Sequence, residues 1–249
     1  MAEGHSGLYS PLVTDRIAGT VVRATIQNRL VSFFATTELD AVMAQHDHGC
    51  FYEIEELELI AEHVRPGAVM LDVGANVGNH TLYVALFLDA RKVICVEPNR
   101  QAAAILRVNV DLNRLNDRVE LHLGIGLSDG PGAAVIGATP DMNLGGVALT
   151  RQEGGPIPLV GGDDLLAGEH VDFIKIDVED MELDVLRGLQ RTIETCRPVI
   201  LVEIDETTAA DFHALTAQLG YAVAGRVDYG YDGVENLLIV PVERREASR

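Results

Sequence analysis

Basic residues are in short supply. The 249-residue chain sets 19 Lys and Arg against 38 Asp and Glu, a formal net charge of −19. Nucleic-acid binders present a basic face to phosphates, so this balance excludes that class while leaving room for a small basic pocket. It equally disfavours an anionic lipid surface. Cysteine is scarce too. Cys50, Cys95 and Cys196 are scattered, odd in number and without a CxxC pair. That argues against a disulfide framework or a thiolate zinc site and predicts a reducing compartment. No apolar run approaches the ~20 residues of a membrane helix. The opening Met1-Ala2-Glu3-Gly4-His5-Ser6-Gly7 lacks the basic start and apolar core of a signal peptide. Neither internal repeats nor low-complexity segments are found. A cytoplasmic protein is expected.

What is present is an ordinary globular balance, 47% hydrophobic and 23% charged, arranged as alternating strands and helices. The organising stretch is Val69 to His80. A short apolar run meets Asp72, then Gly74 and Gly78 stand four positions apart, then Thr81 to Leu88 reads as a helix. Strand, glycine turn and helix make the first unit of a nucleotide-type α/β fold. Further strands are predicted at 92–97, 119–123, 171–177 and 199–204, with helices between them. A final antiparallel pair is predicted at 221–225 and 236–240. The fold class is thus α/β: a Rossmann-like, doubly wound, mostly parallel sheet with a C-terminal antiparallel pair. Short β-like pieces between Gly124 and Gly162 read as an inserted hairpin or flap. Ahead of the repeating part, two strands turning at Gln27-Asn28, then a short helix, form an N-terminal β/α appendage over residues 1–50. It is expected to cover the pocket or make a homodimer contact, with the catalytic domain at 51–249.

The turn spacing is G-x-x-x-G rather than the dinucleotide G-x-G-x-x-G. Asp72 beside a pyrophosphate would be repulsive, whereas beside a cationic amino acid it is favourable. That points to S-adenosylmethionine (SAM), with Asp72, Gly74 and Gly78 at the methionine part and Asn76 also among the cofactor contacts. Glu97 ends the second strand, 25 residues after Asp72, where a carboxylate can accept both ribose hydroxyls. Asp129 is expected near adenine. An NAD-linked oxidoreductase is opposed by the missing third glycine and by Asp72. A non-catalytic nucleoside-binding module is the other alternative.

A second dense patch is Lys175-Ile176-Asp177-Val178-Glu179-Asp180. Period-two alternation puts Lys175, Asp177 and Glu179 on one side. Methyl transfer requires that the acceptor be positioned and, where it carries a proton, that the proton be removed. Asp177 and His80 compete as the base, with Lys175 and Glu179 beside them. Asn143, Gly145, Gly146, Tyr229, Tyr231 and Asp232 are weaker candidates for contacts to substrate. His46 and His48 lack a third anchored ligand, so no metal site is predicted from them. Asp177, Glu179, Asp180 and Glu203 hold oxygens that would suit a divalent cation.

Leu71-Asp72-Val73-Gly74-Ala75-Asn76-Val77-Gly78, Val96-Glu97-Pro98-Asn99, Ile174 to Glu179 and Arg197 to Glu203 resemble the FkbM-type methyltransferase family. Phe51-Tyr52-Glu53 and Leu186-Arg187-Gly188 add to the likeness, which spans roughly residues 49–205. The resemblance implies a class I SAM-dependent methyltransferase acting on hydroxyl oxygens of sugars, polyketides or other natural products. One departure is Asp180, where the family usually carries Gly. Nitrogen methyltransferases often show an Asn- or Asp-Pro-Pro-Tyr loop after the fourth strand. Asp177-Val178-Glu179-Asp180 stands there instead, which favours a small-molecule or glycan hydroxyl.

Overall fold

Nothing in the first 35 described positions belongs to the main sheet. A computed structural model describes residues 17–36, 40–137, 144–229 and 233–247. It opens with a hairpin, β1 (Thr20–Ile26) and β2 (Arg29–Ala35), paired in register from Thr20↔Ala35 to Ile26↔Arg29. Gln27 and Asn28 turn it with φ of 47° and 61°, the positive values that a two-residue hairpin loop requires. Helix α1 (Ala41–Asp47) follows, capped by Asp40, whose Oδ1 accepts from the Val42 and Met43 amides at 2.9 and 3.2 Å. Helix α2 (Ile54–His63) precedes the repeating part.

The predicted strands appear as β3 (Val69–Val73), β4 (Lys92–Glu97) and β5 (Val119–Leu123), with α3 (Asn79–Phe87) and α4 (Arg100–Leu112) between them. The interior strands β3 and β4 read as nearly unbroken apolar runs, whereas β5, at the sheet edge, alternates Val119, Leu121 and Leu123 with Glu120 and His122. The stretch after β5 is a second, four-stranded sheet rather than a lone hairpin. It consists of β6 (Gly126–Ser128), β7 (Gly132–Ile136), β8 (Leu149–Arg151) and β9 (Ile157–Gly161), in the order β6-β9-β7-β8. A short α5 (Gly162–Leu166) leads to β10 (Phe173–Ile176), which is shorter than the predicted 171–177. Between the strands predicted at 171–177 and 199–204 stand two helices, α6 (Glu182–Gly188) and α7 (Gln190–Cys196). Helix α6 presses on β6: a Cβ on Gly188 would lie 1.9 Å from the Ser128 carbonyl oxygen. The chain ends with β11 (Val199–Asp205), α8 (Ala209–Gln218), β12 (Tyr221–Val227), β13 (Val234–Pro241) and α9 (Val242–Ala247).

The main sheet has the order β12-β13-β11-β10-β3-β4-β5. Only β13 runs antiparallel to its neighbours, and it slots between β11 and β12. One face carries Met70, Cys95, Phe173 and Leu201 against Leu57, Ile60, Leu82 and Leu106 of α2, α3 and α4. The other carries Leu71, Ile94, Ile174 and Val202 against Val185, Leu189, Ile193 and Phe212 of α6 to α8. Burying each such side chain contributes about 1.5–3 kcal/mol. The hairpin docks on α4 through two amides: Asn109 Oδ1 accepts from Phe34 N (2.7 Å) and Asn113 Oδ1 from Ser32 N (2.9 Å). Among the described residues no helix is long and apolar enough to cross a membrane.

Candidate active site

A cavity of about 370 Å³ opens at the carboxyl ends of β3, β4 and β10, where ligands bind in open α/β sheets. The glycine turn forms one wall. Gly74 takes φ 79° and Gly78 φ 94°, conformations open to glycine at little cost. The spacing reading expected these glycines to admit a ligand. The structure gives a different reason: a Cβ on Gly74 would fall 1.7 Å from the Asp177 carbonyl oxygen, and one on Gly78 would fall 2.6 Å from Leu106 Cδ1. Glycine lets β10 and α4 close on the turn. Gly74 and Asn76 line the cavity, whereas Gly78 sits behind them as the N-cap of α3.

Glu97 lies in the same wall. Its Oε2 accepts from the Asn76 amide and its Oε1 from the Asn99 amide, both at 2.7 Å. Burial pushes its carboxyl up to about 7 even though both amides pull it down. Each oxygen retains a lone pair for a ligand hydroxyl. Asn76 Oδ1 is buried without a partner, and such an atom costs free energy until something donates to it. An unsatisfied acceptor and a carboxylate side by side fit the polar part of a nucleoside.

Asp72 departs from expectation. It is buried beneath the floor and does not line the cavity, so direct contact with a bound ammonium is not available to it. Its Oδ2 takes the Thr81 hydroxyl at 2.6 Å and its Oδ1 has no partner. Strand register sets it next to Lys175. Lys175 does line the cavity, and its Nζ donates to Asp177 Oδ2 at 2.7 Å. Burial alone would lower Lys175. The carboxylates of Asp177, Asp72, Glu56 and Glu53 outweigh it and hold the ammonium above the usual lysine range.

Beyond Lys175 the wall turns acidic. Asp177, Glu179 and Glu203 bring carboxylate oxygens within 4.8 Å of one another. Burial, then the neighbouring Asp177, pushes Glu179 up to about 7 and Glu203 up to about 8. The strand ends at Ile176, and Glu179 and Asp180 follow in left-handed backbone with φ of 51° and 76°. Alternation therefore explains Lys175 and Asp177 but not Glu179, which the loop carries into place.

His80 is buried at the start of α3 and touches the cavity. Its Nε2 stands 3.2 Å from Glu56 Oε2 and 3.8 Å from Glu53 Oε2, without hydrogen-bond alignment. Glu53, also in the wall, is pushed up to about 7 by burial, against the pull of His80. Its backbone is left-handed, with φ 53°. Neither glutamate was singled out as a site residue from the sequence. The available signal was Glu53 and Glu56 three apart at a helix start, just after the quoted Phe51-Tyr52-Glu53.

Asp129 stands apart from the cavity. It pairs with Arg151, which also holds Asp184 at 3.2 Å, and so is drawn to the outer edge of the small sheet. Gly145 and Gly146 line the cavity. Tyr229 Oη accepts from the Glu56 amide at 3.4 Å. Asn143, Tyr231 and Asp232 lie outside the described residues. His46 stacks on Phe33 with ring centroids 4.4 Å apart, and burial lowers its pKa to about 4. It is a core imidazole.

Residues 72–231 match the family model of the methyltransferase FkbM domain. The chain belongs to the FkbM methyltransferase family. Over the matched region it is 28% identical to a hexuronic acid methyltransferase, AglP, of Haloferax volcanii, covering 60% of this chain and 61% of that one. It is 30% identical to part of the AMB antimetabolite synthetase AmbE of Pseudomonas aeruginosa, covering 68% of this chain but 10% of that one. The chain thus spans less than two thirds of either relative. A solved FkbM methyltransferase from Methylobacillus flagellatus shares the fold, with a TM-score of 0.52 at 20% identity over 80% of this chain and 52% of that one. The sheet order is that of a class I methyltransferase fold.

Proposed function

We propose that the protein transfers a methyl group from SAM to a hydroxyl oxygen of a small molecule or glycan. The observation that carries this reading is one cavity with two unlike ends: Asn76 and Glu97 at one, the carboxylates around Asp177 at the other. SAM, when bound, supplies an electrophilic methyl group on a cationic sulfur. Glu97 and Asn76 would hold the nucleoside, the first as acceptor for ribose hydroxyls. The acidic end favours a positive charge through space. There Asp177, fixed by Lys175, positions the acceptor, and Glu179 or Glu203 receives its proton. Carboxyls poised at about 7 to 8 suit that transfer near neutral pH. Nε2 of His80 faces two glutamates rather than a free acceptor site, so the carboxylates are the better base. The sugar acceptor named for AglP supports a glycan substrate. Ala41 and Val42 of α1 line the cavity, which supports a capping role for residues 1–50.

Calorimetry with SAM, S-adenosylhomocysteine and NAD, followed by labelled-SAM transfer to sugars, polyketides and amino alcohols, tests the reading. Binding of S-adenosylhomocysteine is expected, weakened tenfold or more by Glu97→Gln. Glu179→Gln and Glu203→Gln should lower kcat without changing affinity for S-adenosylhomocysteine. Binding of NAD with no response to either SAM species would overturn the proposal.

A further inference from the structure

We propose that Glu53, Glu56 and His80 form a binding site for one divalent first-row transition ion. The three side chains converge from two helix starts, α2 and α3, with Glu53 and His80 in the cavity wall and Glu56 buried behind them. One ligand atom of each lies within 4.8 Å of the others. The Nε2 separations of 3.2 and 3.8 Å to Glu56 and Glu53 are close to the edge of a coordination polyhedron: metal legs of about 2.0–2.2 Å set ligand edges of roughly 3–3.5 Å. A second observation points the same way. His80 is 5% exposed and its Nε2 is aimed at the glutamates, yet it makes no hydrogen bond. A buried imidazole nitrogen that stands against two carboxylates without hydrogen-bond alignment is an open ligand. The surrounding charge agrees. Glu53, Glu56, Asp72 and Asp177 all act on the ammonium of Lys175, which Asp177 already engages. A dication there relieves like-charge repulsion that neither His80 nor Lys175 cancels.

One imidazole with two carboxylates selects the class of ion. Nitrogen ligation favours zinc, iron, cobalt or manganese over magnesium or calcium, which prefer all-oxygen sets. The site differs from the Asp177–Glu179–Glu203 trio, whose donors are oxygen alone. It borders the wall formed by Glu53 and His80, so remaining ligand positions face the cavity, where an acceptor oxygen can coordinate.

The test uses tag-free full chain, stripped with chelator and titrated with Co²⁺, followed by visible absorption. One saturable equivalent is expected, displaced by Zn²⁺ and not by Mg²⁺. Glu56→Gln and His80→Asn should weaken binding tenfold or more. Glu53→Gln, at a partly exposed position, should do the same while keeping the far-UV spectrum of the parent. Co²⁺ should raise the melting temperature of the parent but not of Glu53→Gln. Absence of saturable binding would overturn the assignment. So would binding that survives Glu53→Gln and His80→Asn but is lost in Glu179→Gln, because the ion would then belong to the other trio. The readout needs neither SAM nor acceptor, so a negative result leaves the methyltransferase reading standing.

Discussion

At position 74 a single hydrogen in place of a methyl group lets two strands meet. Gly74→Ala would place Cβ 1.7 Å from a backbone oxygen that cannot swing away, at φ 79°. We expect a loss upwards of about 4 kcal/mol, read as a collapsed melting transition together with loss of S-adenosylhomocysteine binding. Gly78→Ala meets only the tip of Leu106, a side chain able to rotate, and should be milder. Glu203 makes the contrasting case. Its carboxyl rises from 4.5 to about 8, through burial first and Asp177 second. The folded state therefore holds the proton more tightly than the unfolded chain. Stability from this group is full below about 4.5 and declines as pH rises towards 8. Glu203→Gln should melt like the parent at pH 5 and several degrees higher at pH 9 in a calorimetric series. If the gain is equal at both pH values, the raised carboxyl is not its cause.

Elements meet through a few polar side chains. Asn109 in α4 is fully buried, accepts from Phe34 N at 2.7 Å and donates to Val77 O at 2.8 Å. One amide thus ties the N-terminal hairpin to the glycine turn. Asn109→Ala leaves both groups unpaired and should cost about 2–4 kcal/mol, measured by denaturant unfolding. S-adenosylhomocysteine affinity should fall with it, since the turn loses its brace. Elements were also what the sequence disclosed best. The runs 69–73 and 92–97 coincide with strands because they lie inside the sheet and nearly every position is buried, whereas 119–123 is the edge strand and shows through the alternation of Val119, Leu121 and Leu123 with Glu120 and His122. The small sheet was less legible, because three- to five-residue strands carry too little pattern to show their pairing. The cluster of Glu53, Glu56 and His80 was legible only in part: the spacing of the two glutamates and His80 each stood in the sequence, but no local periodicity links the two helix starts that bring them together. Asp129 shows a pairing that sequence spacing does not reveal. It stands at a suggestive place in the sequence, but a guanidinium from β8 claims it.

The whole molecule carries a formal charge of −19 with an isoelectric point near 4.6. Acidic groups crowd the cavity as well as the surface, and their mutual repulsion favours expansion. Added salt screens exposed charges at a Debye length of about 10 Å at 0.1 M. The melting temperature should therefore climb by several degrees between low salt and 0.5 M NaCl at pH 8. The gain should shrink near pH 5, where the carboxylates begin to take up protons. A flat salt response would mean that opposite charges are already well interspersed.

The position of β13 has a further consequence for biogenesis. Strands leave the ribosome in sequence order, and the one that joins β11 to β12 is the last to appear. A nascent chain can assemble the cofactor wall from β3, β4 and β10 while the β11 flank stays bare. Leu237, Leu238, Ile239 and Val240, which will seal it, are still inside the exit tunnel. Synthesis therefore passes through a stage with an open, apolar sheet edge. Slow translation of the codons after Asp205 would prolong that exposure, so yield during expression should depend on those codons and on chaperones more than on any residue of the cavity.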